Sequence, residues 1–574
     1  MILQALAAYY ERTVDAGGDV ASEGFQKQEI PSLIILNRNG KFVDLQDTRY
    51  SEGKKKIGRT FTVPKAVKKT SGIAANLLWD TSAYVIGRPK PGQKNDLEKA
   101  RKQQCAFIDR IKEAFPKVEI DEGIAAVLHF LEQGDFQELL KQPSWPEIEE
   151  KGSIISFQLE GDTRLVCERP AVINALKTCN EAPFEMAPCL ITGEFGKTVR
   201  LHTAIKGVWG AQTSGANIVS FNLDAFTSYG KKKKQGLNAP VGKRAEFAYT
   251  TALNTLLRKG SHQRIQVGDA STVFWAEKKH DIEDVFADIF GEPAKDNPIQ
   301  DYKSLIATFR APEIGSRPEL DPNTHFYVLG LAPNAARIAV RFWYDGTVRQ
   351  VADNIYRHFD DCAIVHGPNQ SETLSLFRLL VSTAVREEPK NIQPNLAGEL
   401  MRAILAGTPY PKTLLSSAIW RIRAEREISY PRVALIKAVL ARETRYYNRN
   451  EKEVGMALDT TNNNIGYLMG RLFAVLEKIQ EEANPGINAT IRDRFYGAAS
   501  STPVAVFSLL MKLKNHHLSK LDNRGRAVNF ERLIGEIMDG IDGFPNHLSL
   551  ADQGRFAVGY YHQRQDFFTK KTVQ

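Results

Sequence analysis

The chain has 574 residues, of which 43% are hydrophobic and 25% are charged, as in a folded globular protein. This composition excludes disorder over the whole chain, and the length is sufficient for three or four domains at roughly 100–200 residues each. No stretch approaches the ~20 apolar residues that span a bilayer, and the first residues lack the pattern of a secretory signal, so we expect neither a membrane span nor secretion.

The cysteine content indicates a reducing compartment. Five cysteines are present, an odd and low number, and no pair shows Cys-x-x-Cys spacing. A cytoplasmic location is therefore expected. Cys167, Cys179 and Cys189 form a loose cluster, but buried free thiols are more common than a metal site at such spacing. We predict no metal centre and no cofactor.

The positive charge is concentrated in two segments. Residues 54–102 carry a net charge of +10 and residues 226–266 carry +8, whereas the whole chain carries +9, so the remainder is acidic. Two such basic segments favour a phosphate backbone as the partner, and solvated lysine-rich loops are the simpler alternative. Neither segment shows the amphipathic helical pattern of a membrane-surface anchor, so no membrane partner is predicted.

The first part of the chain mixes helical and strand signals. The first 50 residues predict a short helix and then a β-hairpin whose turn lies at Asn39 and Gly40. Periodic apolar residues between 94 and 150 indicate helices. The predicted strand pairs are Leu33–Leu36 with Phe42–Leu45, Ile154–Leu159 with Arg164–Cys167, and His325–Gly330 with Ile338–Trp343.

From about residue 395 the pattern changes, and apolar residues recur at helical spacing with few strand signals. We therefore predict an α+β fold in two parts. Residues 1–390 form a mixed nucleic-acid-recognition region with short β-hairpins and helices. Residues 391–574 form an antiparallel helical bundle.

The catalytic motifs that we considered are incomplete. Gly193–Thr198 resembles the end of a phosphate loop, but Ile191 stands where the Walker pattern has a glycine. His358-Phe359-Asp360-Asp361 lacks the further histidines of a metal-dependent phosphohydrolase. His516 and His517 are adjacent on a predicted helix, so their side chains point in different directions. We predict a binding protein that is not an enzyme.

Two loops have the composition of nucleic-acid contacts. The first, within residues 54–76, supplies cations for phosphates, small hydrogen-bond donors and an asparagine for a base edge. Its candidate residues are Lys54, Lys55, Lys56, Lys68, Lys69, Thr70, Ser71, Gly72 and Asn76. A tight surface turn is the alternative explanation.

The second loop, within residues 209–240, combines small residues with a run of four lysines. Small residues let a nucleic-acid backbone approach closely, and the lysines form a cationic finger suited to a groove or a displaced strand. Its candidate residues are Gln212, Thr213, Ser214, Gly215, Lys231, Lys232, Lys233, Lys234 and Asn238. A glycine-rich hairpin with a solvated tip is the alternative.

At these loops the sequence becomes similar to a known family. The motifs that carry the similarity are Lys69-Thr70-Ser71-Gly72, Ser214-Gly215-Ala216, Gln235-Gly236-x-Asn238-Ala239-Pro240, Gly497-Ala498-Ala499-Ser500-Ser501-Thr502-Pro503 and Gly559-Tyr560-Tyr561-His562-Gln563. These motifs resemble those of the large subunit of the type I-C CRISPR Cascade effector. The resemblance lies in their order and number and extends over nearly the whole chain.

This resemblance implies a role in a complex of backbone and small subunits loaded with guide RNA (crRNA). It implies recognition of the protospacer-adjacent motif (PAM) in target double-stranded DNA, help in opening the duplex, and stabilisation of the R-loop. A separate helicase-nuclease would be recruited after R-loop formation to cut the DNA. Most sequence specificity would come from guide pairing.

The resemblance also implies roles for individual residues. Contact with the PAM is expected from Thr70, Ser71, Gly72, Asn76, Gln212, Thr213 and Ser214. The run Lys231–Lys234 is longer than the family pattern and is expected to contact phosphates or to help separate strands. Two alternatives stay open: a nuclease of the same defence system, and a structural subunit whose basic loops bind only guide RNA.

The C-terminal helical part resembles a small subunit, which the family also makes separately from an internal start. Met456 would begin such a product of 119 residues. We expect a western blot against the C-terminus to show this product beside the full chain, and Met456→Leu to remove the short product only. A short product that persists in the variant would contradict a start at Met456.

Overall fold

The computed structural model describes residues 2–18, 20–52, 55–67, 69, 72–91, 96–116, 121–178, 185–231, 234–291, 306, 321–450 and 452–568. Helices and short strands alternate in the first part, and helices follow one another in the last part, so the predicted α+β class is confirmed. The chain forms two compact units. The N-terminal unit comprises Leu6–Thr203 and Ser220–Ala252, and the C-terminal unit comprises Met1–Ala5, Ala204–Val219 and Leu253–Gln574.

The strands of the N-terminal unit are β1 (Phe25–Glu29), β2 (Ser32–Leu36), β3 (Phe42–Asp47), β4 (Tyr50–Glu52), β5 (Lys55–Ile57), β6 (Thr60–Pro64), β7 (Trp79–Thr81), β8 (Ile154–Leu159), β9 (Met186–Pro188) and β10 (Phe195–Lys197). The unit is built on a four-stranded sheet of order β3-β2-β8-β7, in which only β2 and β8 run parallel. The pairs β1–β6, β4–β5 and β9–β10 form small antiparallel sheets.

Helices pack around this sheet and supply much of its hydrophobic core, which includes Phe107, Val127 and Phe157. The α-helices of the first 256 residues are Ile2–Asp15, Ser82–Val85, Asp96–Ala114, Glu122–Gln133, Gln137–Leu140, Trp145–Lys151, Pro170–Thr178 and Lys243–Leu256. The helices predicted between 94 and 150 are therefore confirmed.

The first predicted hairpin is confirmed as β2 and β3. Its turn is fixed by the Asn37 side chain, whose Oδ1 accepts hydrogen bonds from the backbone N–H groups of Asn39 at 3.0 Å and Lys41 at 2.9 Å. Gly40 has a φ of +76°, a left-handed conformation that favours glycine. The local turn chemistry alone therefore specifies this hairpin.

The second predicted hairpin is wrong in its second strand. β8 forms as expected, but Val166–Glu168 is a 3₁₀ turn, with Leu165 making only an isolated bridge to Gln158. The Glu168 carboxylate accepts a hydrogen bond from the Leu165 N–H at 3.0 Å and so stabilises the turn. β7 pairs only with residues 154–156 of β8, and beyond it the returning chain makes the single bridge at Leu165 before it enters the 3₁₀ turn.

The C-terminal unit contains a four-stranded antiparallel sheet, β11 (Arg264–Val267), β12 (Ala270–Ala276), β13 (His325–Asn334) and β14 (Arg337–Thr347), in sequential order. The predicted pair His325–Gly330 with Ile338–Trp343 is confirmed within β13 and β14. The helices of this unit after β12 are Ile282–Phe290, Val348–Cys362, Leu376–Thr383, Pro394–Ala406, Lys412–Glu425, Tyr430–Tyr446, Ile465–Ala483, Ile491–Ala499, Val504–Ser519, Arg524–Met538 and Leu550–Phe568.

One hydrophobic core runs through the C-terminal unit, from Ile265 to Tyr561. Residues before and after position 390 contribute to it, for example Phe359 and Met401. The division of the chain at residue 390 stays a prediction. Among the described residues, no helix combines the length and the apolar character needed to cross a membrane.

The helices Ile465–Ala483 and Leu550–Phe568 pack very closely. Asn464 contacts Asp552 near their starts, and Glu481 pairs with Arg564 near their ends, so the two helices run parallel. Helix Arg524–Met538 runs antiparallel to the first of them, because Glu482 pairs with Arg526 and Leu468 contacts Gly540. Glycines allow the close approach: a Cβ at Gly470 would lie 2.0 Å from the Phe556 carbonyl oxygen.

We expect Gly470→Ala to destabilise the C-terminal unit by about 3 kcal/mol, because the added methyl group must push two backbones apart. Gly535→Ala is the matched control: Gly535 is also helical, but a Cβ there has no neighbour within 4 Å, and alanine favours the helix. In urea unfolding of the full chain, we expect Gly470→Ala to lower the urea concentration at the midpoint and Gly535→Ala not to lower it. Equal midpoints for the two variants would contradict the close packing.

Candidate nucleic-acid interface

The first candidate loop, defined here as residues 64–80, is closed at its base by two hydrogen bonds. The indole Nε1–H of Trp79 donates to the Pro64 carbonyl oxygen at 2.9 Å. The backbone N–H of Val67 donates to Oδ1 of Asn76 at 2.9 Å. Asn76 is only 5% exposed. These bonds join the two arms of the loop at its base.

The buried carboxylate of Asp80 is the centre of this base. It accepts two hydrogen bonds from the Lys69 ammonium, each 2.7 Å long, and one from the backbone N–H of Asn76 at 3.0 Å. The Lys69 ammonium also lies 3.7 Å from the ring centroid of Tyr84, a cation–π contact. The charge of Lys69 is therefore balanced within the protein, and in this structure Lys69 and Asn76 support the loop.

The other candidates near the first loop have different positions. Gly72 is exposed, with a φ of +90° and open space around it. Lys56 is exposed on β5, whose backbone also includes Lys55. Lys54, Lys68, Thr70 and Ser71 lie outside the described residues.

The segment Trp209–Gly215 belongs to the C-terminal unit and is fixed at its ends. Ile205 and Ala216 exchange two backbone hydrogen bonds of 2.8 and 2.9 Å, and the Trp209 N–H donates to Oγ of Ser271 at 2.9 Å. Gly215 has a φ of +90°, and a Cβ there would lie 2.8 Å from the Ile205 carbonyl oxygen. Glycine is thus required at this point, and the loop between these anchors is held in one shape.

Gln212, Thr213 and Ser214 are all exposed on this loop, with their amide and hydroxyl groups open to solvent. The loop also exposes 62% of Trp209. An exposed tryptophan beside three polar side chains combines a stacking surface with hydrogen-bonding groups. The structure thus brings together three of the predicted residues and adds one that the prediction omitted.

The segment Ser228–Asn238 belongs to the N-terminal unit, and Asn238 closes it. Oδ1 of Asn238 accepts a hydrogen bond from the Ser228 N–H at 3.0 Å, and its Nδ2 donates to the Gln235 carbonyl oxygen at 2.9 Å. In this structure Asn238 acts as a support. Tyr229, at the turn, is 97% exposed and has a φ of +54°, which is uncommon for a residue other than glycine.

The two described lysines of this segment, Lys231 and Lys234, have partners inside the protein. The Lys231 ammonium donates to the Leu237 carbonyl oxygen at 3.0 Å, and the Lys234 ammonium lies 2.9 Å from a Glu185 carboxylate oxygen. Both members of the second pair are about half exposed, so the pair contributes little to stability and can exchange for a phosphate. Lys232 and Lys233 lie outside the described residues.

Trp209 and Tyr229 are exposed, which was not predicted from the sequence. Each aromatic residue precedes a glycine within a polar loop, at Gly210 and Gly230. The segments around these two residues lack alternating apolar residues and so are not predicted to contribute to a core. A large aromatic side chain beside a turn glycine in such a segment is expected to be exposed to solvent. That local pattern could have identified both residues.

The residues that resemble catalytic motifs have structural roles. His358 is buried, its Nδ1 lies 2.7 Å from the Tyr410 hydroxyl, and burial lowers its pKa to about 3. The buried Asp361 carboxylate accepts hydrogen bonds from Arg442 at 2.7 Å and from Arg445 at 2.5 Å. These groups are engaged in packing and in a buried ion pair.

The phosphate-loop-like segment Gly193–Thr198 runs through a turn into β10. The residues that follow it, 199–203, form no helix, so the helix N-terminus of a phosphate loop is not present there. Cys167 and Cys189 are buried free thiols, and Cys179 lies outside the described residues. Within the described part of the chain, no group of three His, Cys, Asp or Glu side chains is arranged to hold a metal ion.

Comparison with known families identifies the chain. Residues 6–568 match the family described as CRISPR-associated protein (Cas_Csd1). The chain therefore belongs to this family, the large subunit of the type I-C Cascade complex, and the resemblance seen in the sequence motifs is confirmed. No curated protein matches the chain.

We expect Asn76→Ala to open the first loop, because the Val67 N–H loses its acceptor. A typical partly buried hydrogen bond contributes about 1 kcal/mol, so amide hydrogen exchange at residue 67 should be about fivefold faster. Hydrogen exchange with mass spectrometry measures this, and Gln46→Ala, at an exposed position on β3, is the control. Unchanged protection would show that Asn76 does not support the loop.

Proposed function

We propose that this chain is the non-catalytic large subunit of an RNA-guided antiviral DNA-surveillance complex and that it recognises the PAM in target double-stranded DNA. The observation that carries the proposal is the loop Trp209–Gly215, which exposes Gln212, Thr213 and Ser214 from fixed ends. Amide and hydroxyl groups recognise base edges, and a loop already held in shape loses little entropy on binding. Membership of the CRISPR-associated family supports this assignment.

The first loop has a complementary role in this proposal. Its base is held by Asp80, Asn76 and Trp79. We assign DNA contact to Thr70, Ser71 and Gly72, and we assign Lys69 and Asn76 to support of the loop. Direct contact between Asn76 and a base stays a prediction.

The segment Ser228–Asn238 would help to open the duplex and to hold the displaced strand. Tyr229 offers a fully exposed ring, and Lys231–Lys234 supply cations beside it. Aromatic rings that stack on bases and cations that contact phosphates are the usual means of holding a single strand. R-loop stabilisation and the later recruitment of a helicase-nuclease belong to the same proposal, as does assembly in the cytoplasm with crRNA and with backbone and small subunits.

The alternatives differ in their support. The nuclease alternative depends on His358 and Asp361, and both side chains are buried and bonded within the protein. The second alternative is a structural subunit that binds only guide RNA. Exposed cations contact RNA and DNA phosphates equally well, so the experiment below is needed to distinguish this alternative from DNA recognition.

The experiment compares guide-loaded complexes with and without this subunit for binding to matched DNA targets that carry a library of flanking sequences. We expect the subunit to create a flank preference, and Gln212→Ala to reduce it by about tenfold, since one base contact contributes about 1–3 kcal/mol. Gln370→Ala, at another exposed position of the C-terminal unit, should leave the preference unchanged.

The outcomes separate the hypotheses. If the subunit permits assembly and guide binding but creates no flank preference, the RNA-only structural role is correct. If a preference exists but Gln212→Ala retains it, the loop Trp209–Gly215 does not recognise the PAM. Metal-dependent cleavage of DNA by the purified chain alone would support the nuclease.

A further inference from the structure

A small basic cleft lies in the N-terminal unit, outside both candidate loops. It is formed by the end of β7, the helix Ser82–Val85, the turn that follows and the helix Asp96–Ala114. The cleft has a volume of about 180 Å³ and is lined by Thr81, Ser82, Ala83, Pro89, Lys90, Lys99, Gln103 and Gly152. None of these lining residues is acidic.

The two lysines of the cleft are available for a ligand. Among the described side chains, neither Lys90 nor Lys99 has an ion-pair partner, in contrast to Lys65, which pairs with Glu246 at 3.3 Å, and to Lys69, which pairs with Asp80 at 2.7 Å. The nearest acid on the Asp96–Ala114 helix with a described side chain, Glu98, already pairs with Lys102 at 2.7 Å. Two unpaired ammonium groups at one cleft create a local positive potential.

The cleft is also preformed. A Cβ at Gly152 would lie 2.9 Å from Cε and 3.0 Å from Cγ of Lys90, so the Lys90 stem lies directly over this glycine. Oγ of Ser82 donates to the Arg88 carbonyl oxygen at 3.1 Å and ties the turn to the short helix. The Thr81 hydroxyl makes no capping hydrogen bond to that helix, and Thr81 lines the cleft. Little ordering is needed before an anion binds.

We infer that this cleft binds a phosphodiester group of a nucleic-acid strand, held by Lys90 and Lys99 with hydrogen bonds from Thr81 and Gln103. Two cations, a hydroxyl and an amide are the donors that proteins place around phosphate oxygens. The volume is below the roughly 300–1,000 Å³ of ligand pockets, which suits one phosphate better than a whole nucleotide. The site would fix the path of a strand without recognising its sequence.

The test measures binding of fluorescein-labelled oligo(U) RNA and oligo(dT) DNA to the full chain by fluorescence anisotropy over a range of salt concentrations. We expect Lys90→Gln with Lys99→Gln to weaken binding about tenfold. Two lost phosphate contacts should also reduce the salt slope by about 1.4, at roughly 0.7 per contact on single strands. A larger effect on one of the two probes would identify the strand as RNA or DNA.

The matched control is Lys102→Gln with Lys112→Gln. These lysines lie on the same helix, and the double variant removes the same charge, but neither lysine lines the cleft. Equal weakening by both double variants would indicate general attraction to a basic surface and would overturn the proposal, as would unchanged binding. The flank preference of the complex should survive in the Lys90 and Lys99 variant, so this test is independent of the proposed PAM function.

Discussion

One buried carboxylate in the N-terminal unit binds groups of the first loop and of the basic cleft. Asp80 is 2% exposed, and its oxygens accept hydrogen bonds from the Lys69 ammonium and from the backbone N–H groups of Asn76 and Thr81. A carboxylate is stable in the interior only when its charge is paired and its lone pairs are used. Lys69 and Asn76 belong to the first loop, and Thr81 lines the basic cleft. The same carboxylate therefore contacts both the loop and one residue of the cleft.

The distribution of positive charge along the sequence differs from its availability on the surface. Lys65, Lys69 and Lys234 all contribute to the two basic segments, yet each pairs with an acid, at Glu246, Asp80 and Glu185. Counting charges along the chain cannot reveal such pairs, because two of the three partners are far away in sequence. The same count does not distinguish Lys90 and Lys99 from the other lysines. Only the folded structure shows that both line one cleft.

Much of the secondary structure could be predicted because its signals are local. The Asn39-Gly40 turn predicted the β2–β3 hairpin, and apolar spacing predicted helices in the last part of the chain, as observed at Ile465–Ala483 and Leu550–Phe568. The strand expected at Arg164–Cys167 is replaced by the 3₁₀ turn Val166–Glu168, whose Glu168 carboxylate accepts a hydrogen bond from the Leu165 N–H, a side-chain contact that apolar alternation does not report. For the candidate site, the exposure of Gln212, Thr213 and Ser214 agrees with the prediction that they contact DNA, and that contact stays a prediction. The buried position of Asn76 depends on Val67 and Asp80, so only the folded loop could show it.

The close parallel packing of Ile465–Ala483 against Leu550–Phe568 has a consequence for biosynthesis. Three helices separate the two partners along the chain. When Gly466 and Gly470 leave the ribosome, the backbone that covers them, at Asp552 and Phe556, has not yet been made. Until then the intervening helices remain partly folded and expose apolar surface. The core is completed only after the helix Leu550–Phe568 has been synthesised. Long-range contacts of this kind slow folding, so the C-terminal unit completes its fold late, after most of the chain has been synthesised.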